Sequence, residues 1–212
     1  MKVQLIDSAG GDLSVVNSAR VSFNKRSDNL TARDEKLITY LAKHRHDTPF
    51  RHNFIQVRCS VPLFLARQLM KHQAGLTWNE ESRRYIDSPP EFYCPKNWRT
   101  RPDGSIKQGS GEMSPDSPMW YREVYGQTKN AVKLYTDMLE GGIAPEMARM
   151  VLPQNMYVNF IWSGNLLAFF HVYNLRSGEG AQEEAKEFAD LLKNAIWPKF
   201  PVSWTALAAR DT

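Results

Sequence analysis

Two cysteines in 212 residues, Cys59 and Cys94, are too few for a disulfide framework or a four-cysteine zinc site, and both are expected as reduced thiols. No apolar run reaches the length of a membrane span. The opening MKVQLIDSAGGDL has no apolar core behind its lysine and does not read as a secretory signal, so the expectation is a cytoplasmic protein with no membrane partner. Glycine-rich phosphate loops are missing as well. No G-x-G-x-x-G follows a strand and no Walker lysine loop occurs, so a bound nucleotide has to be held by side chains. There is no basic tail and no internal repeat. The net charge of +4 is spread over Lys and Arg residues interleaved with acids, which favours a small phosphorylated ligand over a nucleic acid.

What is present is an ordinary globular composition, 42% hydrophobic and 24% charged, expected to close one domain over 1–212. Val3 and Leu5 alternate with polar neighbours as in a short strand, and a helix is expected from about Leu13 to Arg20. Thr31 and Asp34 have capping-box spacing ahead of Leu37, Ile38 and Leu41, which predicts a helix to about Lys43. Ile55, Val57, Cys59 and Val61 then recur with period two, the clearest strand in the chain. Pro62 opens a helix with Leu65 and Leu69, on which Gln68, Lys71 and His72 would share one face before the chain enters a loop.

A stretch rich in Pro, Gly, Ser and Asp at about 86–119 predicts a long irregular loop, with a candidate strand at Glu91–Cys94. Trp120 to Leu139 reads as an amphipathic helix stopped by Gly141 and Gly142. Pro145 to Pro153 brackets a short helix carrying Arg149. Met156 to Trp162 alternates as a second strand, Leu166 to Leu175 as a buried helix, and Ala185 to Ile196 as a last helix ended by Pro198. Strands and helices do not alternate regularly, so the expected fold is α+β, a mixed or antiparallel sheet with packed helices.

The chemistry is concentrated in KHQAGLTWNEESRRY, Lys71 to Tyr85. A basic cluster is ordinarily a solvated surface. Here Asn79, Glu80 and Ser82 add hydrogen-bonding variety, and Arg83, Arg84, Arg149 and Arg176 supply guanidinium forks suited to phosphate. His44, His46 and His52 have ligand-like spacing, but no fourth ligand completes a metal site. Cys59 falls on an apolar strand face and Cys94 lacks a neighbouring base, so neither reads as a nucleophile. His171, beside Phe169 and Phe170, reads by itself as a core histidine.

Five segments in register carry a resemblance: HDTPFRH at 46–52, ARQLMKHQ at 66–73, NEESRRY at 79–85, PEMARMVLPQNMY at 145–157 and NLRS at 174–177. Running from SARVSF at 18–23 to about Gln182, the chain resembles the flavin-dependent thymidylate synthases. The resemblance implies an α+β homotetramer with active sites at subunit interfaces. It also implies methylation of dUMP to dTMP, with 5,10-methylenetetrahydrofolate as carbon donor and FAD reduced by NADPH as hydride donor. Positions matching those that bind dUMP are Gln68, Lys71, Glu80, Ser82, Arg84 and Arg149, with Glu81 and Arg83 beside them. Arg176 matches the arginine that polarises the uracil ring. Thr48, Lys71, His72, Gln73, Glu80, Asn165 and His171 match flavin contacts, and His46 a histidine near folate and flavin.

The family pattern is Arg-His-Arg, seven residues, then Ser-x-Arg. This chain has Lys71-His72-Gln73, eight residues, then Ser82-Arg83-Arg84, with Leu167 where many relatives carry a flavin-contacting arginine and Gly180 where some carry a histidine. The departures fall on flavin contacts more than on the uracil and phosphate ligands. Beside this reading stand a relative modifying another pyrimidine nucleotide, a non-catalytic nucleotide-binding protein, and a single-strand-binding module using Trp78 and Tyr85 as stacking platforms.

Overall fold

The two-residue period at 55–61 becomes the centre of a four-stranded antiparallel sheet in the computed structural model, which describes residues 1–86, 88–102, 104 and 109–210. Strands β1 (Lys2–Ala9), β2 (Phe54–Pro62), β3 (Leu76–Glu80) and β4 (Tyr157–Gly164) lie in the order β1-β2-β4-β3. Val57 pairs with Trp162 and Cys59 with Phe160, so the alternating apolar residues of both central strands arrive on one face. Ile55, Val57, Cys59, Val61, Phe160 and Trp162 are all buried there.

Helices cover that face. The described residues form α1 (Asp12–Arg20), α2 (Ala32–Lys43), α3 (Leu63–Leu69), α4 (Ser117–Glu140), α5 (Pro145–Ala148), α6 (Leu166–Ser177), α7 (Glu183–Ile196) and α8 (Pro201–Ala209). Trp162 meets Phe169 of α6 edge-on at 5.5 Å and lies 6.4 Å from Phe188 of α7, so one strand residue anchors two helices. Phe170 on α6 meets Trp204 of α8 at 5.6 Å. Each such side chain, fully buried, contributes about 1.5–3 kcal/mol relative to exposure.

Four expectations need correction. Residues 76–80 form an edge strand where a loop was expected. Only Leu76 and Trp78 give them an apolar alternation, and pairing with β4 supplies the rest. The candidate strand at 91–94 reduces to a single bridge from Phe92 to Met156. A helix exists beyond Pro198, because Asp12 caps it from the far end of the chain, accepting from Val202 N at 2.9 Å and Ser203 N at 2.8 Å. Helix α3 stops at Leu69, so Lys71 and His72 sit in the turn that follows it and not on its face.

The irregular stretch expected at 86–119 ends where α4 begins. Positions 87, 103 and 105–108 of it lie outside the described residues. The described part folds back on itself: Arg99 bridges Met113, and Ser117 Oγ accepts from Trp98 N at 2.9 Å. No helix among the described residues is long and apolar enough to cross a membrane.

Candidate active site

The turn after α3 delivers the densest cluster of candidate residues. His72 N bonds Leu69 O at 3.0 Å and Leu76 N bonds Gln73 O at 3.2 Å, so the backbone reverses within a few residues into β3. Gly75 makes this possible. Its φ of +74° lies in the left-handed region, and a Cβ there would come within 2.9 Å of the Asn165 side chain. Opposite it, a Cβ on Gly164 would meet Gly75 O at 2.5 Å. Two glycines therefore let the turn lie against the start of α6, where Asn165 caps the helix by accepting from Ala168 N at 3.0 Å.

Arg176, near the end of α6, reaches back across this turn. Its Nε donates to His72 Nε2 at 3.1 Å and its Nη2 donates to the Gln68 carbonyl at 3.2 Å. Burial lowers the Arg176 pKa from its ordinary value, yet an arginine stays charged at neutral pH. Burial, then the Arg176 charge, then His171 hold the His72 pKa below 6.5, in keeping with a neutral imidazole that accepts at Nε2.

Gln68, Lys71, Gln73 and Arg176 line one cleft of about 1120 Å³, together with Arg67 and Arg99. Glu80, Glu81, Ser82, Arg83 and Arg149 line a second of about 480 Å³. There Glu81 is fixed to β4, its N–H donating to Asn159 O at 2.9 Å and its carboxylate accepting from Asn159 Nδ2 at 3.2 Å. Ser82 Oγ accepts from Arg84 N and Nε, each at 3.3 Å, while Arg83 donates to Ser88 O. The Glu80 pKa is raised by partial burial, offset in part by the Trp78 indole donating at 3.4 Å. His46 and Thr48 line a third cleft of about 910 Å³, with Tyr40 and the exposed Phe23.

The structure thus gathers the sequence-predicted residues into three groups and does not merge them within one subunit. Thr48 is tied to α6 through Asn53, which donates to Phe50 O and accepts from Leu166 N at 2.6 Å. His171 is exposed, contrary to the reading as a core histidine, because α6 turns that position away from the sheet. Its ring lies 3.3 Å from Arg210 Nη2, and Arg210 also donates to Asp47. Trp78 is half-buried with Phe160 stacked on its face, centroids 3.4 Å apart, which removes one of the two stacking platforms considered. Tyr40 packs against both His44 and His46, whose rings are 6.5 Å apart, and among the described residues no three His, Cys, Asp or Glu gather as metal ligands.

Sequence reasoning missed Arg67 and Arg99 in the first cleft and Tyr40 and Phe23 in the third. Arg67 was within reach, being adjacent to Gln68. Arg99 was not, since nothing in a Pro-rich stretch marks one arginine as facing a cleft.

Comparison with known proteins adds three findings. The family described as thymidylate synthase complementing protein matches residues 4–202. The chain is 35% identical over 208 residues to a flavin-dependent thymidylate synthase of Kosmotoga olearia, covering 96% of this chain and 88% of that protein. It is 34% identical to one of Thermus thermophilus, covering 96% and 74%. Among solved structures, the UMP/dUMP methylase PolB from Streptomyces cacaoi bound with 5-Br dUMP has a TM-score of 0.87 at 31% identity, covering 98% of this chain and 94% of that one. The same methylase bound with 5-Br UMP also gives 0.87, at 30% identity.

Proposed function

The chain belongs to the thymidylate synthase complementing protein family, and from that premise we propose that it methylates dUMP to dTMP. The carbon comes from 5,10-methylenetetrahydrofolate. FAD reduced by NADPH supplies the hydride when bound. The observation that carries this reading is Arg176, a charged guanidinium held between His72 Nε2 and the Gln68 carbonyl at the wall of a cationic cleft.

Among the described residues two of the five Arg176 N–H groups are used, which leaves others for a pyrimidine carbonyl. A preorganised cation there stabilises negative charge developing on the ring oxygen. Lys71, Arg84 and Arg149 suit the nucleotide phosphate, and Ser82 offers a hydroxyl without an adjacent base. Neither cysteine takes part. Burial pushes the Cys59 thiol far up, and Cys94 lies half-buried against Asn155 Nδ2 at 3.6 Å.

The donor set fits an anionic dinucleotide. The first cleft is larger than a mononucleotide needs and, among the described residues, presents Arg67, Lys71 and Arg176 against the acid Glu179, Arg99 at its rim being paired with Glu184. Thr48, His72, Gln73, Glu80, Asn165 and His171 complete the proposed FAD contacts, with His46 on the folate side. Because the three groups lie apart in one subunit, we infer that the site closes between copies in a homotetramer. Met119, Trp120, Tyr125 and Leu134, apolar and exposed on α4, support that inference. One domain over 1–212, a cytoplasmic location suited to two free thiols, and no nucleic-acid partner belong to the same reading.

A second reading, methylation of UMP as well as dUMP, is favoured by likeness to a methylase whose solved structures carry both brominated nucleotides. The protein reconstituted with FAD should show a flavin spectrum bleached by NADPH, and should methylate dUMP only when methylenetetrahydrofolate is added. Uptake of no flavin at saturating concentration would refute the reading. UMP assayed in parallel separates the two substrates, and nucleotide binding without product would leave a non-catalytic binding protein.

A further inference from the structure

Glu184, at the start of α7, is 5% exposed, and three side chains donate to it. Arg99 Nη2 reaches both of its oxygens at 2.7 and 2.8 Å, Tyr93 donates its hydroxyl at 3.1 Å, and Gln182 Nε2 donates at 2.8 Å. Burial works against ionisation, but the Arg99 guanidinium and the Gln182 amide outweigh it and hold the carboxyl below 4.5. Glu184 is therefore a carboxylate at neutral pH, a group that can only accept.

That one-way character propagates. Gln182 has to turn its NH2 toward Glu184, which leaves its Oε1 pointing the other way, and that oxygen accepts from Gln68 Nε2 at 2.7 Å. Gln68 is thereby fixed as well. Its NH2 is turned toward Gln182 by one of its two N–H groups, and among the described residues its Oε1, on the opposite side, has no hydrogen-bond donor. Gln68 lines the first cleft together with Gln182, Arg99 and Arg176. An amide free to rotate would offer a ligand either end; this one offers a carbonyl.

We propose that Gln182 and Glu184 are positioning residues that hold the Gln68 amide with its carbonyl oxygen toward the nucleotide. Gln68 then reads a hydrogen-bond donor on the ligand, a ribose hydroxyl or the ring N3–H, and not a phosphate oxygen. The inference rests on the proposed nucleotide function of this cleft. It also gives the 86–119 stretch a task, since Arg99 from that stretch neutralises Glu184 and Tyr93 donates to it, and Arg99 is itself braced by Ser110 Oγ at 2.8 Å.

The test compares binding of dUMP, its N3-methyl derivative and its 3′-deoxy derivative by calorimetry on the full chain. For wild type, one derivative should bind about five- to tenfold more weakly than dUMP, the size of one net hydrogen bond. Gln182→Leu, which leaves the Glu184–Arg99–Tyr93 cluster intact, should compress that discrimination to under about twofold while its unfolding midpoint stays near wild type. Gln68→Met should do the same, and the double variant should lose nothing more. Full discrimination in Gln182→Leu, or wild-type indifference to both derivatives, overturns the relay and leaves the proposed function standing. Failure of wild type to bind dUMP at all sinks both. Which derivative is penalised tells whether the donor is on the sugar or on the base.

Discussion

Helix α6 and helix α4 are opposites. Of twelve residues in α6, six are buried, whereas α4 has twenty-four residues and buries three, Ser117, Thr128 and Tyr135. Asn165 caps α6 and Arg176 lies in its last turn, so groups that have to be held to within tenths of an ångström are fixed by packing against Trp162 and Trp204. The α4 face expected from its periodicity is only half covered within the subunit, and Trp120, Tyr125 and Leu134 are exposed beside it. The comparison teaches that one helix positions site groups through its packing, while the other leaves apolar surface uncovered within the chain.

The comparison breaks most visibly at Phe169. Phe169→Ala removes a fully buried ring and leaves a cavity under Trp162, and should cost about 3–5 kcal/mol in chemical denaturation. A loss under about 1 kcal/mol would mean that α6 is not packed as described. Next is the cap that fastens the start of α8 to the start of α1. Asp12→Ala frees the N–H groups of Val202 and Ser203 and should cost about 1–2 kcal/mol, read from the same unfolding curves.

A smaller effect is tied to pH. The folded pKa of His72 is depressed below 6.5, so the folded state binds fewer protons than the unfolded chain. Its contribution to stability is complete above 6.5 and is lost as pH falls toward the folded value. The stability advantage of wild type over His72→Gln should therefore be flat on the alkaline side of 6.5 and shrink with acidification. A widening gap in acid would reverse the assignment of a neutral imidazole under Arg176. The smallest effect belongs to α4. Leu134→Ala should change subunit stability by less than about 0.5 kcal/mol, while Leu134→Asp should lower the mass of the assembly measured by light scattering.

Legibility in the sequence follows how local each cause is. The buried face of β2 was readable because Ile55, Val57, Cys59 and Val61 carry their own period, and the start of α2 because Thr31 and Asp34 bond each other across one turn. Helix α8 was not, because its cap comes from Asp12, 190 residues away. Strand β3 was not, because an edge strand with Thr77, Asn79 and Glu80 on show depends on β4 for its conformation. At the site, Gln68, Lys71, Gln73 and Arg176 line one cleft, while Glu80, Ser82 and Arg149 line another. The Glu184–Arg99 pair behind them spans 85 positions and has no local signature.

The central claim is that Arg176 acts on the pyrimidine ring while Arg149 holds the nucleotide. Steady-state and single-turnover kinetics of Arg176→Lys and Arg149→Lys on dUMP test it directly. Lysine keeps the charge of Arg176 but loses the fork held between His72 and Gln68, so turnover at saturating dUMP should fall by on the order of a hundredfold. Arg149→Lys should raise the dUMP concentration required and leave the chemical step near wild type. If Arg176→Lys changes only nucleotide affinity, its role on the ring is contradicted.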